Sequence, residues 1–221
     1  NLEILNIDRI NADAIKGLSG PNRLQVSEWI DSLELLSVEE DKVRIYEQIA
    51  SLWYNEGRPL LSAYYAEKIA NLKNTEETWQ ITGTSYLIAA QRLQDDREKQ
   101  YAVQRSRLAL EKAISFNTSN IENRINLALT YVEQPLESNP MKGILMLVDL
   151  NKENPDNIPV LMQLGRLAMG TNQLDKAVER LSRVTELDPD NRQAHCYLEE
   201  IYTKQGKMEE AVREKQFCEI N

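Results

Sequence analysis

The 221-residue chain contains seven Pro, eight Gly and two Phe, and it is rich in Leu, Glu, Ala, Ile, Lys and Arg, a balance that favours helices over sheets or a disordered chain. Its formal net charge of -9 repels phosphate backbones and anionic lipid surfaces, so neither nucleic acid nor direct lipid binding by this domain is expected. Two cysteines and one histidine are too few for the CxxC pairs or His/Cys clusters of zinc and redox sites, and no cofactor or metal is expected.

Residues 1 to about 18 hold some apolar side chains but no cap or sustained period, and an extended or mobile segment is expected there. Next, Leu24, Val26, Trp29, Ile30, Leu33 and Leu36 recur at near-helical spacing after Pro21, which suits a first helical turn. This helix is expected to cap a repeat array, so that residues 1–42 form an N-terminal segment and 43–221 the array itself.

The repeat is set by spacing. Pro155 to Pro189, Asn172 to Gly206 and Ala177 to Ala211 are each 34 residues apart, which is what two antiparallel helices of three to four turns and two tight turns consume. This period divides the array into units of about 43–75, 76–120, 121–157, 158–191 and 192–221. The eighth position of a unit is small in Ala50, Gly83, Ala128 and Gly165, and the twentieth in Ser62, Ser106, Gly143, Ala177 and Ala211, so that paired helices can approach closely. Large residues complement them: Tyr46, Trp79 and Leu161 at the fourth position, and Trp53, Tyr86, Tyr131 and Tyr202 at the eleventh. Gly57, Asn172 and Gly206 fall where a left-handed residue ends a first helix, and Pro155 and Pro189 mark the ends of second helices.

Several positions depart from the pattern. Arg124 and His195 at fourth positions, Ala168 at an eleventh and Glu199 at an eighth predict looser or more polar packing. The second unit carries 11 extra residues around Gln91 to Tyr101, charged and helix-forming, which predicts two lengthened helices. Three extra residues with Pro135 and Pro140 predict a loop in the third unit, and the fifth unit is expected to leave Val212 and Phe217 partly exposed.

Leu164-Gly165, Ala177, Leu181 and Asp188-Pro189, with the 34-residue period, resemble tetratricopeptide repeat (TPR) proteins over some four fifths of the chain. The resemblance implies an all-α, right-handed superhelical solenoid of about five TPR helix pairs with an N-terminal capping helix. Leu60-Leu61-Ser62-Ala63-Tyr64-Tyr65-Ala66-Glu67-Lys68 and Asn139 to Leu150 are similar to a family of small bacterial TPR proteins with an N-terminal membrane anchor. That likeness implies a periplasmic domain in the bacterial envelope over a cytoplasmic one. The chain begins Asn1-Leu2-Glu3, without Met, so a processed or trimmed precursor lacking its anchor or signal is expected.

Chemistry is outweighed by packing throughout. His195 sits where an aromatic residue packs, and nothing but Cys196 accompanies it. Cys196 and Cys218 could be inert thiols or a pair, which needs Cα atoms within about 7 Å. Glu39-Glu40-Asp41, Asp95-Asp96 and Glu209-Glu210 read as solvated faces and helix starts, and Tyr64 and Tyr65 as ordinary helix surface with hydroxyls able to reach solvent. No phosphate loop, nucleophile elbow or HExxH motif occurs.

The expected function is therefore a non-enzymatic scaffold binding a protein, peptide or amphipathic helix. By TPR analogy the groove would comprise Glu47, Ser51 and Tyr54; Gln80 and Thr84; Ile125, Leu129 and Val132; and Met162, Arg166 and Met169, with Leu129, Met162 and Met169 as a solvent-facing apolar stripe. Glu47 and Ser51 stand where carboxylate-clamp TPRs have Lys and Asn, which argues against a terminal carboxylate as ligand. The alternatives are an assembly unit acting through its convex face or by homo-oligomerisation, and an enzyme.

Overall fold

The computed structural model describes residues 5–219, and among them the only regular elements are α-helices, in agreement with the all-α reading. They group into two compact units, 1–140 and 141–221, divided in the proline-bearing loop of the third repeat.

The first unit holds α1 (Ile7–Gly17), α2 (Gly20–Leu35), α3 (Glu39–Asn55), α4 (Pro59–Lys73), α5 (Glu76–Arg92), α6 (Asp96–Phe116) and α7 (Ile121–Glu133). Successive helices from α3 to α7 pack on one another, and short turns force them antiparallel. Gly57 turns α3 into α4 at φ +69°, and Asn74 ends α4 at φ +47°, a left-handed conformation open to Gly and tolerated by Asn. Thr75 and Thr78 then form a reciprocal capping box that starts α5.

At the crossing of α5 and α6, Gly83 lies against Leu110, and the Ser106 hydroxyl donates to the Gly83 carbonyl at 2.7 Å. The small residues at the eighth and twentieth positions thus set how closely these helices approach. The extra residues of the second repeat lengthen α5 to 17 and α6 to 21 residues, joined by a short connection capped by Asp95. Leu93 and Tyr101 at this tip both pack onto the core.

The N-terminal segment corrects the sequence reading. Residues 7–17 form a helix capped by Asn6, with Ile7 buried and Ile10, Ala14 and Ile15 against the core. The hydroxyl of Tyr64 donates to Asp8 at 2.5 Å, and Asn11 donates to the hydroxyl of Tyr65 at 2.9 Å. Tyr64 and Tyr65 are accordingly buried groups that clasp α1, and their hydroxyls do not form open helix surface. Of the expected mobile segment, residues 1–4 lie outside the described residues.

The second unit holds α8 (Lys142–Glu153), α9 (Ile158–Gly170), α10 (Leu174–Leu187), α11 (Arg192–Lys204) and α12 (Met208–Cys218). Asn157 and Asn191 cap α9 and α11 with their side chains, one repeat apart. Asn172 and Gly206 take the left-handed turns at φ +58° and +73°. Gly165 meets Leu181, and Leu161, Ala168, Ala177, Leu181, Val184, Ala194, Leu198 and Ile201 build one core.

Candidate functional site

An open cleft of about 600 Å³ lies in the first unit, with α3 and α5 as walls and α4 as floor. From α3 come Glu47, Ala50, Ser51 and Tyr54, one face of the helix at spacings of three and four. The floor is Ser62, Ala66, Ile69 and Lys73, and the far wall Thr75, Glu77, Thr78, Ile81 and Ser85. Tyr54 and Ile81 are 59% and 51% exposed, so each wall offers water a large apolar side chain. Beneath, Trp53 and Tyr86 are buried in the same core, so the walls stand on a packed base.

The expected groove residues divide. Glu47, Ser51 and Tyr54 line the cleft. Gln80 and Thr84 are half-buried on α5 but outside its lining, and Thr84 accepts a hydrogen bond from Asn126 of α7 at 3.3 Å, facing away from α3. Thr78, Ile81 and Ser85 take the place expected of them, a rotation of the helix face that spacing alone does not set. Ile125 and Leu129 are 5% and 8% exposed, and Val132 is half-buried. Because α7 packs on both α5 and α6, the first two serve the core, and the hydrophobic gain from their burial explains why they are apolar. Met162 and Met169 are half-buried and pack on the core of the second unit, while exposed Arg166 bonds Gln163. The solvent-facing stripe of Leu129, Met162 and Met169 is therefore corrected: none of the three is exposed.

A second opening of about 680 Å³ adjoins the cleft between α2 and α3, sharing Glu47 and Ser51 and adding Asn22, Gln25, Trp29 and Gln48. On the floor helix, the opposite side is an ionic network. Buried Glu67 accepts from Tyr86 at 2.8 Å and from Arg105 at 3.1 Å, which satisfies a carboxylate removed from water. Burial holds the Tyr86 and Tyr64 hydroxyls protonated well above the ordinary phenol range, and it lowers Arg105. At the end of α7, Arg107 donates to the carbonyls of Thr130 and Gln134 and lies over the Tyr131 ring at 4.2 Å, binding the last turn to α6.

In the second unit His195 is 6% exposed. Its Nδ1 faces Glu214 at 2.5 Å and its Nε2 the Pro189 carbonyl at 2.9 Å, while the ring stacks on Phe217 at 4.6 Å. Both ring nitrogens lie within hydrogen-bond distance of an oxygen, so the buried ring leaves no polar atom without a partner. Cys196 and Cys218 form a disulfide across the α11–α12 hairpin, with Cα atoms 4.8 Å apart. This pairing resolves the alternative that spacing left open. Among the described residues no group of three or more His, Cys, Asp or Glu is arranged to hold a metal, and no helix is long and apolar enough to cross a membrane.

Antiparallel helix pairs with small residues at the crossings and left-handed turns one repeat apart are the fold of tetratricopeptide-repeat solenoids. The tetratricopeptide repeat family model matches residues 143–196. Among solved structures the chain is similar to MamA (residue 41 to the end) from Desulfovibrio magneticus RS-1, at 16% identity and a TM-score of 0.51, over 80% of this chain and 92% of that one. It is also similar to a crystal structure of a MamA protein at 17% identity and a TM-score of 0.50, over 81% and 91%. No curated protein matches it in sequence.

Proposed function

We propose that the chain is a non-enzymatic protein-interaction scaffold and that its binding surface is the α3–α4–α5 cleft, which receives a peptide segment of a partner. One observation carries the reading: Tyr54 and Ile81 stand exposed on facing walls above a floor of Ala66 and Ile69. The core of this unit is filled by other side chains, so these two gain burial only when something enters. A cleft of this size takes a few side chains of a segment, consistent with anchor residues in a helix-lined groove.

The Cys196–Cys218 disulfide supports an oxidising compartment, in keeping with the envelope location implied by the sequence resemblance. A second reading, self-association, draws on Met208, Val212 and Phe217, all exposed on α12. Light scattering over a concentration series reads it directly.

A photo-crosslinking residue at position 81 tests the cleft, with position 108 as control because Leu108 is exposed on α6 and outside the cleft. Adducts with a partner from position 81 alone support the cleft. Adducts from position 108 alone assign binding to the other face.

A further inference from the structure

The cleft is charged at one end and uncharged along the rest. Because α4 runs antiparallel to α3 and α5, the start of α3, the end of α4 and the start of α5 lie together, and Glu47, in the middle of α3, is the cleft residue of that helix nearest them. This places Glu47, Lys73 and Glu77, the charged groups of the lining, at one end, and Tyr54, Ser62 and Ser85 at the other, with Ile69 and Ile81 between. The same end of the helix stack also holds the end of α2 and the start of α3. Asp31, Glu34, Glu39 and Glu40 are exposed there. Of the nearby cations, Arg44 already faces Asp41 at 3.3 Å, which leaves Lys42 and Lys73 against that acidic set. The whole chain is acidic too, at -9.

We propose that the segment entering the cleft carries a basic side chain about 6–10 Å from a bulky apolar one, the base set at the Glu47–Glu77 end and the apolar group between Tyr54 and Ile81. This inference rests on the cleft being the binding surface. The distance comes from the four residues that separate Glu77 and Ile81 along α5 and the seven that separate Glu47 and Tyr54 along α3, which at 1.5 Å per residue are about 6 Å and about 10 Å. It corresponds to a spacing of about four to seven residues in a helical ligand and about two to three in an extended one. The apolar contact supplies most of the affinity, and the charge fixes which way round the segment lies. An acidic segment would meet the Glu47–Glu77 end with like charge, so the cleft discriminates against it.

The experiment uses labelled synthetic Ala/Gln peptides with one Leu and, at spacing three, four or seven, either Lys or Glu, titrated against the full chain by fluorescence anisotropy. The Lys peptide of one spacing is expected to bind about fivefold tighter than its Glu counterpart at low salt, and the difference should shrink as salt rises. In the Glu47→Lys/Glu77→Lys variant, whose exposed sites leave helicity unchanged by circular dichroism, the preference should reverse. Lys and Glu peptides that bind equally, with both blocked by Ile81→Arg, would overturn the charge inference and leave the cleft standing. If no peptide binds, or Ile81→Arg blocks none of them, both readings fall together.

Discussion

Gly83→Ala adds one methyl group where the α5–α6 crossing has no room. A Cβ at Gly83 would lie 2.5 Å from Leu110 Cγ and 3.2 Å from its backbone nitrogen, against the ~3.5–4.0 Å of ordinary carbon contact. Leu110 is fully buried and its Cγ is a branch point, so neither rotation nor a small shift relieves the overlap. Replacing a mid-helix Gly gains about 1 kcal/mol of helix propensity, whereas overpacking costs about 1–3 kcal/mol. With a buried branch point in the way the clash prevails, for a net loss of up to about 2 kcal/mol, or up to roughly 8 °C in a chain of this size. Thermal unfolding followed by circular dichroism measures it. Leu110→Ala alone should cost about 2–5 kcal/mol, and combining the two should cost less than their sum, because the added methyl partly fills the void. Gly170→Ala, with nothing within 4 Å, should be neutral or stabilising. If Gly83→Ala melted higher than the parent, or the cycle were additive, the tight crossing would be refuted.

Replacing Cys196 and Cys218 by Ser should lower stability by about 3 kcal/mol, the chain-entropy value for a separation of 22 residues, and in the parent chain thiol alkylation should appear only after reduction. His195→Phe keeps the stack on Phe217 but removes both ring-nitrogen contacts, to Glu214 and to the Pro189 carbonyl, so denaturant unfolding should show a loss of about 1–3 kcal/mol. For Tyr64 and Tyr86, burial raises the folded hydroxyl pKa above the ordinary phenol value of 10.0, so their contribution is complete below about pH 10 and is lost as pH rises beyond it. Phenolate absorbance should therefore show a late step that coincides with loss of helicity, and complete ionisation of a still-helical chain would contradict the buried clasp.

Much of the fold was legible because repeats make local rules recur. Gly57, Asn172 and Gly206 all adopt the left-handed turn that their shared position demands, and Gly83 and Gly165 meet Leu110 and Leu181 as small crossing residues should. The helix-forming composition of the second-repeat insertion was enough to give two longer helices. Helix α1 was missed although Asn6 caps it and Ile7, Ile10, Ala14 and Ile15 recur at helical spacing, a short signal whose support, the tyrosine hydroxyls, lies 54 and 56 residues further on. The disulfide depends on a hairpin bringing together residues 22 apart, a distance in space that sequence does not state. The cleft was half legible: periodicity found the α3 wall at Glu47, Ser51 and Tyr54, but the rotation of α5 that presents Ile81 and the burial of Leu129 under its neighbours are tertiary properties.

The central claim is that the α3–α4–α5 cleft binds the partner. Its most direct test is calorimetric affinity for a captured partner segment measured on the Tyr54→Ala/Ile81→Arg double variant. Both side chains are exposed, so helicity and melting temperature should hold. The account predicts a loss of at least about 2 kcal/mol, roughly 30-fold in Kd, as for anchor residues at the centre of an interface. An unchanged Kd in a folded double variant would contradict it.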